Sequence, residues 1–249
     1  MSRCCIVMLS GGLDSSTLLW KAKKELEADL YAITFIYGQR HSREVECARK
    51  LAELAKVIEH RIVDMRYISW VFHASRLVEG GVTISDLTKV SLDYVPQRNL
   101  VFLSLTAAWL ETLLLEKKYS EGIIAIAVHR YDPETGYPDT RIEFLKAVEE
   151  AINLGSAAVT EGRAKIKIWA PFADKTKIDI VREGIRLGVP YEYTWSCYRG
   201  LEKPCGECLS CTLRLRAFME AGKPDPLTDK YEKLPEWYRE WLKNIVKVT

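Results

Sequence analysis

MLSGGLDSST, residues Met8 to Thr17, joins a strand to a helix and is built to receive an anion. The apolar run Cys4 to Leu9 reads as a buried parallel strand. Ser10-Gly11-Gly12 turns the chain sharply. Asp14, Ser15, Ser16 and Thr17 fall on that turn and on the first turn of a helix expected to reach about Ala28. Small residues let backbone N–H groups approach an oxyanion, and a helix N-terminus adds the positive end of its dipole. The hydroxyls of Ser10, Ser15, Ser16 and Thr17 add donors for the same phosphate. No Gly-Lys-Ser/Thr follows the turn, so this is not a Walker-A loop.

Outward from this turn, strands alternate with helices. Leu30 to Tyr37 is a second strand, ended by Gly38-Gln39-Arg40-His41; Ser42 then caps a helix with Val45, Ala48, Ala52 and Ala55 on one face. Val57 to Val63 is a shorter third strand ending at Asp64. Residues 66–93 carry no clean period and read as a loop around Gly80-Gly81. Pro96 then stiffens the approach to an apolar helix from Leu100 to about Glu116, with Asn99 as its N-cap and Arg98 either a solvated charge or a site residue. Gly122 to His129 is a central strand delivering His129-Arg130-Tyr131-Asp132 to the sheet edge. Asp139 suits the cap of a helix from about Ile142 to Leu154. Lys165 to Trp169 alternates like a strand, and Lys175 to Leu187 forms a helix closed by Gly188. The pattern predicts an α/β fold with a mostly parallel sheet covered on both faces, and ligands on such sheets bind beyond the carboxyl ends of the strands.

Composition bounds the function. The chain has 249 residues, 48% of them hydrophobic, and a formal net charge of +2. One domain spanning 1–249 with a substantial core is expected, without bulk charge for direct nucleic-acid binding. The start, MSRCC, lacks the parts of a signal peptide. The longest apolar run, Leu100 to Leu115, is short for a bilayer and contains Glu111, so no membrane partner is expected. Seven cysteines in that context point to metal or chemistry rather than disulfides, and the expectation is a cytoplasmic enzyme.

Four of those cysteines, Cys197, Cys205, Cys208 and Cys211, follow a C-x7-C-x2-C-x2-C spacing. Four thiolates this close suit one structural zinc per chain with no open coordination position, and soft sulfur would also accept an iron–sulfur cluster. Cys4, Cys5 and Cys47 fall on apolar faces and read as core. In the tail from Leu227, Trp237, Tyr238 and Trp241 suit packing or a subunit contact, which leaves a homodimer open.

SGGLDSST resembles the pyrophosphate loop of the ATP α-hydrolase superfamily, whose members cut ATP between the α and β phosphates. That loop is shared with asparagine, GMP and NAD synthetases and with transfer-RNA thiolases. Together with YGQRH, YVPQRN, GYPDTR, Thr176-Lys177, TWSCY and CGECLSC, in that order along nearly the whole chain, it resembles the 7-cyano-7-deazaguanine synthase family, on the route to queuosine and archaeosine in transfer RNA. The resemblance implies a Rossmann-like adenine nucleotide α-hydrolase fold, a zinc subregion at about 194–222 and a helical tail. It implies a ligase that takes ATP, 7-carboxy-7-deazaguanine and ammonia to the nitrile, releasing AMP and pyrophosphate.

The resemblance also assigns residues. Leu9, Ser10, Gly11, Gly12, Leu13, Asp14, Ser15, Ser16 and Thr17 would hold ATP, with magnesium on Asp14 and Lys177 neutralising the departing pyrophosphate. Phe35 and Tyr37 would meet adenine through backbone groups. Arg98, Asn99, Tyr137, Asp139 and Arg141 would form the deazaguanine pocket, where a carboxylate accepts the two N–H groups of a guanine-like edge. Two positions depart from the family pattern: Gln97 stands where the family usually has Gly, and Thr140 where it has Cys. An unactivated hydroxyl does not replace a thiolate, so no nucleophilic cysteine is expected there. Two other readings remain at this point: a pyrophosphate-loop transfer-RNA thiolase, disfavoured by the balanced charge, and a zinc-ribbon binding module, which leaves SGGLDSST without a purpose.

Overall fold

A computed structural model describes residues 2–39, 43–75, 77–78, 80–82, 94–129, 136–200 and 202–246. Five strands form one parallel sheet: β1 (Arg3–Met8), β2 (Asp29–Ile36), β3 (Glu59–Asp64), β4 (Glu121–Ala125) and β5 (Lys165–Trp169), in the order β3-β2-β1-β4-β5. β1 is central, and its apolar middle suits that place: Cys4, Cys5, Ile6 and Val7 have no exposed surface. It pairs with β2 on one side and β4 on the other, so strand order reverses at β1/β4 and opens a crevice beyond their carboxyl ends.

Helices α1 (Leu13–Glu25), α2 (Arg43–Ala55), α3 (Arg98–Lys117), α4 (Ile142–Gly155), α5 (Ala157–Thr160) and α6 (Lys177–Leu187) cover the two faces. On one face Leu103, Leu110 and Leu114 of α3 meet Ile6, Tyr31 and Ile124. On the other, Leu18 and Leu19 of α1 and Leu51 of α2 meet Cys5, Val7 and Ala32, with Ile180 and Val181 of α6. By length and composition α3 could cross a membrane, yet half of its apolar window is buried in the protein, as expected of a core helix. A third cluster joins α7 (Leu209–Glu220) and α8 (Glu236–Val246): Tyr238 has no exposed surface and packs with Trp195, Leu215 and three of the four clustered cysteines. Trp237 and Trp241 pack against the same cluster.

Several elements differ from expectation. α1 stops at Glu25, three residues early. β4 ends at Ala125, and Ile126 to His129 leave the ladder while Ile126 still donates to the Trp169 carbonyl at 3.0 Å. Within the loop expected at 66–93, Arg66–Phe72 forms a 3-10 helix that buries Phe72. α3 begins at Arg98, so Gln97 and not Asn99 is its N-cap, and α4 is capped by Arg141 and not by Asp139. α6 begins at Lys177, two residues late, because Thr176 and Asp179 form a reciprocal capping box. The Ser42 cap, Arg40-His41 and Arg130-Tyr131-Asp132 lie outside the described residues.

Candidate active site

A cavity of about 380 Å³ occupies the crevice beyond β1 and β4. Its floor is the turn after β1. Gly11 has φ +81, and a Cβ there would stand 2.1 Å from the Glu44 carbonyl, so the turn can press against the first turn of α2 only as glycine. The turn is internally braced: the Ser10 N–H donates to Ser15 Oγ at 3.1 Å, the two hydroxyls lie 2.9 Å apart, and the Gly12 N–H donates to Ser10 Oγ at 3.3 Å. Ser10, Gly12, Asp14 and Ser15 line the cavity, with Leu9 and Leu13 beside them. Ser16 and Thr17 do not: Ser16 Oγ donates to the Gly12 carbonyl at 2.6 Å, and Thr17 Oγ1 donates to Leu13 and meets the Tyr191 hydroxyl at 2.7 Å. Serine and threonine in a first turn bond back to the helix, a competition that composition alone does not reveal.

Asp14 is the electrostatic centre. Its Oδ2 pairs with the Lys177 ammonium, and His129 Nε2 stands 3.8 Å from it. Burial works against the charge, but Lys177 and then His129 outweigh it and hold the carboxyl below its usual range. Asp14 Oδ1 is buried and has no hydrogen-bond partner among the described residues. An unpaired buried carboxylate oxygen beside the turn after β1 fits a hard cation.

The far wall carries the other candidates. Arg98 donates to the Tyr37 hydroxyl at 3.2 Å and lies over its ring; Phe35 stacks on Phe102 at 4.2 Å; Tyr94 and Tyr137 stack at 6.1 Å. Tyr37, Arg98, Asn99, Tyr137 and Thr140 line the cavity. Thr140 Oγ1 is committed to the Tyr137 carbonyl at 2.8 Å. Asp139 is 4% exposed, outside the lining, and accepts from the Asn99 N–H; Arg141 also lies outside it. The backbone groups expected to meet adenine are occupied by Gln39: its Oε1 accepts from the Tyr37 N–H at 2.7 Å and its Nε2 donates to the Phe35 carbonyl at 3.0 Å.

The cysteine segment forms the last wall. Trp195 donates from its backbone to the Gly11 carbonyl at 3.0 Å, and Trp195, Ser196 and Tyr198 face the cavity. Arg214 of α7, 1% exposed, is held bidentate by Asp225 at 2.7 and 2.8 Å and donates to Thr194 Oγ1 at 2.6 Å. The ligand atoms of Cys197, Cys205, Cys208 and Cys211 all lie within 4.8 Å of one another, close enough to share one metal ion. Backbone N–H groups already point at the sulfurs, Cys205 to Cys197 at 3.4 Å and Cys208 to Cys205 at 3.3 Å. Gly206 makes that turn with φ +75, where a Cβ would meet the Lys233 carbonyl at 1.7 Å. The fit to a metal is good.

Sequence reasoning gave no site role to Glu44 or to the aromatic and hydroxyl residues 195–198, and it placed Gln39 and His129 at the ligand-binding strand edge without a role for either. Glu44 gave no signal, being one of several acids on α2. The signal for His129 is the apolar run Gly122 to His129, which leads to the carboxyl edge of the sheet although the ladder itself ends at Ala125.

The family model described as queuosine biosynthesis protein QueC matches residues 4–222. Among curated relatives, the 7-cyano-7-deazaguanine synthase of Clostridium kluyveri is 42% identical over 92% of this chain and 98% of its own length. The protein of that name from Thermoplasma acidophilum is 43% identical over 97% of this chain and 98% of its own. The match runs through the turn after β1, the far wall and the cysteine segment alike, and the chain belongs to the queuosine biosynthesis protein QueC family.

Proposed function

We propose that this chain is a cytoplasmic ATP-dependent ligase that converts 7-carboxy-7-deazaguanine and ammonia to 7-cyano-7-deazaguanine. The observation that carries the reading is one cavity in which the phosphate turn, the Asp14–Lys177 pair and the Arg98–Tyr137 wall face each other, in a chain whose relatives bear that enzyme's name. A carboxylate is a poor electrophile, so its oxygen must first displace pyrophosphate from the α-phosphate of ATP. The turn at Ser10, Gly12 and Ser15 would hold the phosphates, and Lys177 would neutralise the charge that builds on the leaving pyrophosphate. The orphaned Asp14 Oδ1 would hold magnesium, which supplies further charge neutralisation when bound.

Adenine would take over the donor and acceptor that the Gln39 amide now contacts at Tyr37 and Phe35, because the two present the same pattern. Arg98, Asn99 and Tyr137, with Asp139 and Arg141 behind them, would orient the base. Ammonia then attacks the adenylated carbon, AMP departs and the amide forms; a second adenylation of the amide oxygen permits loss of AMP to the nitrile. Cys197, Cys205, Cys208 and Cys211 would hold zinc in a structural role.

Incubation with 7-carboxy-7-deazaguanine, ATP, magnesium and ammonium should yield the nitrile by mass. A protein that cleaves ATP to AMP with a different acid and leaves this one unchanged would reassign the substrate.

A further inference from the structure

Among the described residues Glu44 and Asp14 are the carboxylates that line the cavity, and ATP activation gives Glu44 no task. It stands in the first turn of α2, whose backbone is pressed against Gly11 of the phosphate turn. Among the described residues its carboxylate accepts no hydrogen bond and makes no ion pair; the charge acting on it is Arg98, whose guanidinium is itself directed to Tyr37. Arg98 from α3, Tyr37 beyond β2, Asp14 from α1, Lys177 from α6, His129 beyond β4 and Tyr198 of the cysteine segment share the cavity with it, and Cys47 lies on its own helix.

Two of the three substrates are anions, and Lys177 and Arg98 suit them. The third is ammonium, a cation that must lose a proton before its nitrogen is a nucleophile. We propose that Glu44 is the ammonia site: its carboxylate binds ammonium in the cavity and takes the proton that frees the attacking nitrogen. This rests on the ligase reading. Glu44 accepts one proton from ammonium and becomes the carboxylic acid. The ammonia lone pair forms a bond to the adenylated carboxyl carbon. A second proton passes from that nitrogen to water, the bond from carbon to the AMP oxygen breaks, and AMP leaves with the electron pair.

The other lining carboxylate among the described residues, Asp14, is held ionised by Lys177 and is a weak base. Burial pushes the Glu44 carboxyl up to about 7 even though Arg98 opposes it. A base serves best when it titrates near the working pH.

Glu44→Gln keeps the shape and removes the base. Three rates separate its roles: acid-dependent ATP–pyrophosphate exchange, which needs no ammonia; capture of the adenylate by hydroxylamine, a neutral nucleophile that needs no base; and amide formation from ammonium. Amide formation should fall about 100-fold at neutral pH, while exchange and hydroxamate formation stay within about threefold. The variant's remaining rate should climb with pH as free ammonia does, whereas the wild type levels off above about pH 7. Glu44→Asp should regain part of the rate together with the plateau. A parallel fall of all three rates, or an unchanged rate with ammonium, overturns the assignment. Absence of exchange in the wild type with 7-carboxy-7-deazaguanine overturns the ligase reading instead.

Discussion

Asp139 Oδ2 accepts a hydrogen bond of 3.0 Å from the backbone N–H of Asn99, and the Asn99 side chain returns one of 3.0 Å to the Asp139 carbonyl. The acid thus caps α3 from 40 positions away, rather than the helix that follows it in sequence. It holds in place the helix turn that presents Arg98 to the cavity.

Asp139→Asn and Asp139→Ala should therefore differ. Asparagine retains an acceptor for the Asn99 N–H, so the fold should hold within about 1 kcal/mol. Alanine leaves that buried donor unpaired and should cost about 1–3 kcal/mol. If the Asp139 carboxylate also reads the guanine-like edge, the asparagine variant loses affinity for the carboxylated base while ATP binding persists. Thermal melts with titrations of each ligand check this. Loss of ATP affinity would move Asp139 to the nucleotide side.

Gln97 is exposed and adopts φ +52, ψ +19, the left-handed conformation that disfavours residues with a side chain. Its N–H donates to the Tyr94 hydroxyl at 3.1 Å, which glycine would preserve. Gln97→Gly removes strain of about 1–2 kcal/mol and adds about 0.5–1 kcal/mol of unfolded-state entropy, so a net gain of about 0.5–1 kcal/mol is expected. A denaturant midpoint that stays put or falls would show that the side chain itself contributes to the wall.

Loss of a metal held by the four cysteines should reach the cavity as well as the fold. Trp195 bonds to Gly11 two residues before Cys197, and Ser196 and Tyr198 flank that cysteine in the cavity wall. Cys208→Ser should abolish stoichiometric metal and lower Tm by about 10 °C, as expected when a site that contributes to folding is lost. Under conditions where the variant remains folded, its KM for ATP should rise. Metal analysis, melting and kinetics decide, and a metal-free variant with unchanged Tm would remove the structural role.

Glu44 should leave a mark on stability. Its folded-state carboxyl titrates near 7 against 4.5 for an ordinary glutamate, so between those values the folded protein holds a proton that the unfolded chain has released. Stability contributed by that proton is complete below about pH 4.5 and lost as pH rises through 7. Glu44→Gln carries no such dependence. Relative to wild type it should gain up to about 3 kcal/mol between pH 5 and pH 8. Paired melts across that range check the slope; a parallel course means that Glu44 titrates normally.

What was legible in the sequence follows from range. Ser10-Gly11-Gly12 and the four cysteines are contiguous, and their backbone geometry and ligand spacing are local properties. A parallel sheet covered on both faces followed from apolar strands such as Cys4 to Val7 alternating with helices, whereas the strand order β3-β2-β1-β4-β5 came only from the fold. Beside its place in the expected base pocket, Asp139 reads as a cap of the helix that follows it because sequence offers only the nearest helix, whereas the helix it caps, through Asn99, is reached only through the fold. Ser16 and Thr17 look equivalent to Ser10 and Ser15 in a string, but their hydroxyls bond back to Gly12 and Leu13 outside the cavity lining, whereas Ser15, which also donates to the Gly12 carbonyl at 3.3 Å, stays in it. Glu44 reads as one more first-turn acid beside Glu46; only the packing of α2 against Gly11 brings it into the cavity.

A nitrile lies two dehydrations below an ammonium carboxylate, and each loss of water needs an oxygen made into a leaving group. Among the described residues one turn, braced by Ser10 and Ser15 and faced by the Asp14–Lys177 pair, is available for both activations. The amide must then remain in the cavity while AMP and pyrophosphate exchange for fresh ATP. An amide oxygen is the weaker nucleophile, so its attack depends more on a fixed position against the α-phosphate. Asp14→Asn leaves Lys177 without its ion-pair partner, and Lys177→Ala leaves Asp14 without its counter-charge. Both should slow each activation, about 100-fold or more, with the amide step losing the larger factor. Synthetic amide with ATP and no ammonium should become nitrile, and AMP released per nitrile formed from the acid should approach about two under this scheme. An inert amide, or one AMP per nitrile, would overturn the single-site sequence.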